Sequence, residues 1–259
     1  MHSILDDSDE YDNYLFNNCA YYETDNISQL GTSKSSLKAI HLNIHSLPTY
    51  IEDLKLLLEK LDEQKCQIDL IMLCETFLTD LNSNKYKIDG YTLVELHRSK
   101  MRQGGVAIFV RNGLNFRVRD DLNLFDEGFF ESIFIEITMP KRNLIAGEIY
   151  RVPNTSEQSF LAKYEQLIGK INKENKSTII STDQNLDYLK IDKHSNTNKF
   201  LDINLGFGLL PTITKPTRIT HSSATLIDNI YIKNSKNTSF QSGIIATKFS
   251  DHLPCILAI

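Results

Sequence analysis

The stretch Ser177–Asp187, STIISTDQNLD, passes from an apolar run straight into an acid, an amide and a second acid. A short continuous apolar run bounded by polar residues reads as a buried strand, here one that delivers Asp183 and Asn185 to its exit. Immediately upstream, SEQSFLAKYEQLIGKINKEN (156–175) places Phe160, Leu161, Tyr164, Leu167, Ile168 and Ile171 on one helical face. Before that helix, NLIAGEIYR (143–151) reads as another strand, with Tyr150 near its end.

The same texture extends outward. LKAIHLNI (37–44) is a β-like run, LPTYIEDLKLLLEKLDEQ (47–64) is an amphipathic helix started by Pro48 or Thr49, and IDLIMLCET (68–76) is a doubly buried strand. This is a β-α-β opening. GGVAIFVRN (104–112), NFRVRDD (115–121) and FESIFIEITM (130–139) lead into NLIAGEIYR as successive short strands of an antiparallel meander. LIDNIYI (226–232) and HLPCILAI (252–259) supply the last strands. Helices distributed among mixed strands predict a layered α/β or α+β domain, with helices outside two packed sheets. Residues 1–36 are acidic, aperiodic and rich in Asn, Ser and Tyr, and read as a disordered tail preceding a domain at 37–259.

The net charge of −5 does not exclude a polyanionic partner. Residues 1–33 hold seven acids and no Lys or Arg, which leaves 28 basic against 26 acidic side chains in the remainder. Cys19, Cys66, Cys74 and Cys255 are scattered without a Cys-x-x-Cys pair, so they read as buried reduced thiols rather than a disulfide framework or zinc site. The acidic N-terminus does not read as a signal peptide, and no long apolar run predicts a membrane span. The expectation is an intracellular, soluble monomer with no membrane partner and no small-molecule cofactor.

The polar residues that interrupt the pattern fall at strand ends. Asn43 closes the first strand and Glu75 the second; Tyr150, Asp183 and Asn185 close later ones; Asp228 is embedded in LIDNIYI; Ser250, Asp251 and His252 introduce the last. Strand ends on one edge of a sheet converge on a cleft. Singly, such residues serve as turn formers or helix caps, and His45 alone reads as a solvated or satisfied core histidine. The Asp183-x-Asn185-x-Asp187 spacing does not make a calcium loop, because Tyr188 stands where Gly is required and His194 where a bidentate Glu is required.

Taken together and in order, LNIHSL (42–47), LCETFL (73–78), GGVAIFVR (104–111), IYRVPN (149–154), TDQNLD (182–187), PTITKPTRIT (211–220), SATLIDNIYI (223–232) and SDHLP (250–254) resemble the endonuclease/exonuclease/phosphatase family. Within it they resemble the apurinic-endonuclease-like endonuclease domain of non-LTR (LINE-type) retrotransposons. The resemblance implies a four-layered, deoxyribonuclease-like α/β sandwich with two mixed β-sheets packed face to face and helices outside. It implies a Mg²⁺-dependent hydrolase, with Mn²⁺ as a substitute, that nicks one strand of double-stranded DNA in the nucleus to prime reverse transcription. It further implies a reverse transcriptase domain, absent from this chain, which ends seven residues after His252.

By the same resemblance, Glu75, Asn43 and Asp251 are metal-site residues. Asp183 orients and deprotonates water, Asn185 hydrogen-bonds the phosphate, Asp228 holds His252, and His252 with Tyr150 stabilises the pentacoordinate phosphorus. Arg98, Lys100, Arg102, Lys215, Arg218 and Ser250 are the expected DNA contacts. A phosphatase and a repurposed nucleic-acid-binding domain are the competing functions. The departure from the family's Gly-Asp-Phe-Asn is Thr182-Asp183-Gln184-Asn185. Gln184 is expected to bury an amide that needs partners or to leave a void, at about 1 to 3 kcal/mol; if it points into the core, Phe in its place would raise the melting temperature.

Overall fold

A computed structural model describes residues 19–31, 36–101, 103–140, 142–233, 240–247 and 249–259. The first half of the chain contributes β1 (Cys19–Tyr22), β2 (Lys38–Asn43), α1 (Leu47–Glu63), β3 (Leu70–Cys74), β4 (Tyr91–Leu96), β5 (Val106–Arg111), β6 (Phe116–Val118) and β7 (Phe125–Asp126). The central part gives β8 (Phe130–Ile137), β9 (Leu144–Arg151), α2 (Glu157–Lys173), β10 (Ser177–Asp183) and α3 (Ser195–Gly206). Then follow β11 (Leu210–Pro211), β12 (Arg218–Ile219), β13 (Ala224–Thr225), β14 (Asp228–Lys233), β15 (Gln241–Ile245) and β16 (Cys255–Ala258).

One sheet runs β1-β15-β16-β2-β3-β5-β4 and the other β11-β14-β10-β9-β8-β6, with β7 paired to β8. Both are mixed: β2 is parallel to β3 and β9 to β10, while β14 and β16 run antiparallel to β10 and β2. Their facing sides share a core that includes Met72, Ile108, Ile135, Ala146, Ile179, Ile230 and Leu257. Outside the first sheet, α1 buries Ile51, Leu54, Leu57 and Leu61; outside the second, Phe160, Tyr164, Ile168 and Phe200 of α2 and α3 pack on Ile149 and Ile180. These are the expected four layers.

Helix starts follow side-chain capping. Ser46 rather than Pro48 or Thr49 is the cap of α1: its hydroxyl accepts the Thr49 amide at 3.3 Å, worth about 1 kcal/mol. Ser156 does the same for α2 through Ser159.

The structure corrects two boundaries. Cys19–Tyr22, assigned to the tail, pairs in parallel with β15, and Ile27 and Leu30 are buried against the α1 layer. Cys19, Ile27 and Leu30 face inward while Tyr21, Glu23 and Asp25 stay exposed, so an acidic average concealed an edge strand. Residues 1–18 of the expected tail lie outside the described residues. The predicted meander is also divided: β5 lies between β3 and β4 in the first sheet, whereas β6, β8 and β9 form an antiparallel run in the second. A turn at Asn112–Gly113, with Gly113 at φ 95°, carries the chain between the sheets. All four cysteines are free and buried, and no helix among the described residues is long and apolar enough to cross a membrane.

Candidate active site

Strand direction gathers the polar residues. Asn43, Tyr150 and Asp183 lie at the C-terminal ends of β2, β9 and β10, and Glu75 directly follows β3. Asp228 opens β14 and His252 precedes β16, both of which run the opposite way, so all six side chains reach one edge of the sandwich. The chain leaves β3 and β10 through left-handed backbone, with φ 50° at both Glu75 and Asn185. Such conformations cost L-residues roughly 1 to 2 kcal/mol and are held by their surroundings.

Two hydrogen-bonded groups make up the site. In the first, Asn43 Nδ2 donates to Glu75 Oε1 and Asp183 Oδ2, both at 2.8 Å, and Tyr150 Oη donates to Glu75 Oε1 at 2.9 Å. In the second, His252 Nδ1 lies 3.0 and 2.9 Å from the two Asp228 oxygens, and Thr217 Oγ1 donates to Asp228 Oδ2 at 2.6 Å. Asp183, Asp228 and His252 have ligand atoms within 4.8 Å of one another and are all buried.

Burial sets the protonation of this cluster. It raises the Asp183 carboxyl to about 7, with the neighbouring Asp228 charge pushing the same way. Burial opposes charge on His252, but the Asp228 carboxylate outweighs it and holds the imidazole at about 9. Asp228 is itself held well below the usual carboxylate range: His252 charge and hydrogen bonds overcome its burial. The Tyr150 hydroxyl is driven up by burial and by Glu75, so it remains a donor. The result is an imidazolium beside one titratable acid and one fixed carboxylate.

Both Asp228 oxygens are occupied by neutral or cationic donors, and Asn43 Nδ2 bridges the Glu75 and Asp183 carboxylates, donating to an oxygen of each. Oxygen donors of this kind fit Mg²⁺ or Mn²⁺ better than a thiophilic metal. The burial and the Asp228 charge that raise Asp183 are what a bound divalent cation would offset.

The other expected site residues are placed less uniformly. Asn185 uses one amide hydrogen on Arg151 O at 2.8 Å and receives its backbone position from Asp183 Oδ1 at 3.2 Å, which leaves its second amide hydrogen for another acceptor. Asp251 does not join the acidic cluster; it is half exposed and paired with Arg218 Nη2 at 2.7 Å. Ser250 Oγ donates to Asn43 O at 2.9 Å and accepts the His252 amide at 3.2 Å, so it fixes the histidine rather than reaching outward. Arg98, read as a DNA contact, is buried and ion-paired to Glu131 at 2.5 Å. Glu131 also accepts the Gly105 and Gly128 amides, which makes Arg98 part of a loop anchor. Lys100 is exposed, Lys215 lies 5.8 Å from the Tyr21 ring centre, and Arg102 lies outside the described residues.

Sequence reading missed several contributors. His45, two residues beyond Asn43, is solvated, the first of its two expected readings, yet places Nδ1 3.2 Å from Glu75 Oε2. Arg151 donates to Gln184 O at 2.7 Å and Asn185 O at 3.0 Å, clamping the loop that carries the Asp-x-Asn. Thr217, hidden among loop threonines, orients Asp228. The rim is built by two segments. Thr76 and Phe77 amides bond Gly105 and Gly104 carbonyls, bringing these two glycines beside Glu75, while the β12–β13 ribbon bridges through Arg218 to His252.

This architecture recurs in solved structures. The endonuclease domain of TRAS1, a telomere-specific non-LTR retrotransposon, superposes with a TM-score of 0.66 at 13% identity, covering 86% of this chain and 98% of that one. D. rerio TDP2 complexed with single strand DNA product gives 0.62 at 15% identity, covering 86% and 98%. A Bacteroides thetaiotaomicron mannosyl-6-phosphatase gives 0.58 at 14% identity, covering 86% and 100%. No curated protein matches the sequence. Residues 40–252, most of the folded chain, match the endonuclease/exonuclease/phosphatase family. The chain is a member of the endonuclease/exonuclease/phosphatase family.

Proposed function

We propose that this chain is a metal-dependent endonuclease that hydrolyses a phosphodiester of double-stranded DNA, nicking one strand in the manner of a non-LTR retrotransposon endonuclease. The observation that carries the reading is the convergence of Asn43, Glu75, Tyr150, Asp183, Asp228 and His252 at one sheet edge, between two loop systems that bear basic residues. Glu75, with Asn43 beside it, would hold Mg²⁺ or Mn²⁺, which when bound supplies positive charge to the scissile phosphate. Asp183, poised near neutrality, orients water and takes its proton on a carboxylate oxygen. Asn185 offers its remaining amide hydrogen to a phosphate oxygen. The His252 imidazolium, kept charged by Asp228, stabilises the negative charge that grows on phosphorus oxygens. Tyr150 fixes Glu75. Lys100 and Lys215 are suited to phosphate contacts that give affinity without sequence information.

The test is nicking of supercoiled plasmid by purified protein with Mg²⁺, with EDTA, and with Asp183→Ala and His252→Ala. Mg²⁺-dependent nicking lost in both variants is the expected result. A folded protein that binds DNA and leaves it intact would replace this reading with that of a repurposed nucleic-acid-binding domain, and turnover of small phosphoesters alone would replace it with that of a phosphatase.

A further inference from the structure

Beneath the site lies a second polar layer. Side chains two residues apart on a strand share a face, so the residues below Asn43, Tyr150 and Asp183 are His41, Glu148 and Ser181. All three are completely buried between the sheets. His41 Nδ1 lies 3.0 Å from Glu148 Oε2, and His41 Nε2 lies 3.4 Å from Asp228 Oδ1, the oxygen that also faces His252. Ser181 Oγ donates to Glu148 Oε2. With both ring nitrogens directed at carboxylates, His41 carries two protons and offers no lone pair to a metal, although Cys74 stands close by.

From this geometry we infer that His41 is a positioning residue for the reaction: braced by Glu148, it fixes the Asp228 carboxylate and thereby the ring of His252. The inference rests on the nuclease reading and adds a residue that touches neither phosphate nor water. Stitching the sheets together would not by itself call for charged groups. A buried ion pair is commonly no more stabilising than apolar residues of similar volume. Here Glu148 Oε1 is also left without a hydrogen-bond partner, a cost that apolar packing would avoid. The chain has retained the costly arrangement directly under the catalytic pair, with one member touching Asp228.

The paired substitution His41→Leu/Glu148→Leu separates the two roles, since it removes one positive and one negative group and leaves Ser181 Oγ with Gly147 O at 3.3 Å. The expected result is a melting temperature at or above that of the parent. With it, kcat for plasmid nicking falls roughly tenfold to a hundredfold, the range found when orienting partners are removed, while KM stays within about twofold. The proton on His252 Nδ1, followed by NMR in the metal-free protein, should shift or broaden in the same variant. Parental kcat with an unmoved resonance would overturn the proposal. If the parent cleaves nothing, the nuclease reading fails and the resonance decides: displacement supports His41 as the brace of Asp228, and constancy refutes it. Should the double variant not fold, Glu148→Gln takes its place, with a smaller loss in kcat and a displaced resonance expected and no change in either overturning the inference.

Discussion

Thr182 donates its hydroxyl hydrogen to Gln184 Oε1, so the two residues expected from sequence to depart from a Gly-Asp-Phe-Asn pattern are partners of each other. Both are fully buried. Tyr231 Oη adds a hydrogen bond to the same oxygen at 3.3 Å, and Gln184 Nε2 reaches Leu186 O at 3.5 Å. The buried amide therefore has the partners it was expected to need, and the two changes act as one. Gln184→Phe alone should lower stability by about 1 to 3 kcal/mol, because it strips Thr182 of its acceptor while the Thr182 methyl still crowds the new ring. This reverses the expectation from sequence. Thr182→Gly with Gln184→Phe should lose less than the sum of the two single changes, by about 0.5 to 3 kcal/mol. Urea unfolding of the four proteins measures the coupling, and strict additivity would show that the pair is not a unit.

Much of the fold was legible because its signals are local. Leu54, Leu57 and Leu61 mark α1 by helical spacing, and LIMLC marks a doubly buried strand by continuity. The edge strand Cys19–Tyr22 was not legible, since an edge strand needs few apolar residues and its neighbours are acidic. Asn43, Glu75, Asp183, Asp228 and His252 could be found as polar interruptions at strand ends. His41 and Glu148 could not, because a lone His or Glu inside an apolar run looks solvent-facing until the opposite sheet is known. The two-residue spacing from Asn43 and Tyr150 was the available clue. Arg98 misled for the converse reason: a basic loop sequence does not reveal which side chain turns inward to a buried acid.

Arg98 and Glu131 provide a second test. Their side chains are 6% and 0% exposed, and removal of one member of a buried pair leaves the other charge uncompensated. Arg98→Ala should cost roughly 3 to 5 kcal/mol, seen as a lower urea midpoint, whereas the exposed Lys100→Ala should leave the midpoint unchanged within about 0.5 kcal/mol. If Arg98→Ala unfolded like the parent and only weakened DNA binding, the loop-anchor role would be wrong.

The pH dependence of the metal-free protein follows chiefly from three buried groups, of which His41 moves from 6.5 to about 10 and so loses its contribution as pH rises through about 10. Asp183 moves from 3.8 to about 7 on folding, so its favourable contribution is complete below about pH 3.8 and is lost as pH rises through about 7. His252 moves from 6.5 to about 9, so its contribution is complete below about pH 6.5 and is lost as pH rises through about 9. Asp228 moves downward and acts only at more acidic pH. The melting temperature should therefore fall between about pH 5 and about pH 9, and Asp183→Asn should flatten the lower part of that slope. A parent curve that is level or rises across this window would contradict the assigned shifts.

Tyr150 offers the last test, because its hydroxyl makes a contact with a predictable consequence. Tyr150 Oη donates to Glu75 Oε1 at 2.9 Å, an oxygen that among the described residues otherwise receives only Asn43 Nδ2 at 2.8 Å. Tyr150→Phe keeps the ring in the core and should cost only about 0.5 to 1.5 kcal/mol of stability. Glu75 loses one of the two donors that aim Oε1, so it should become less well oriented toward a cation at the site mouth. The Mg²⁺ concentration giving half-maximal nicking should rise about tenfold, the lower end of the range for removing a ligand-orienting hydrogen bond. A magnesium titration of the variant against the parent measures this directly. An unchanged midpoint with reduced turnover at saturation would instead place the Tyr150 hydroxyl on the phosphate during the reaction.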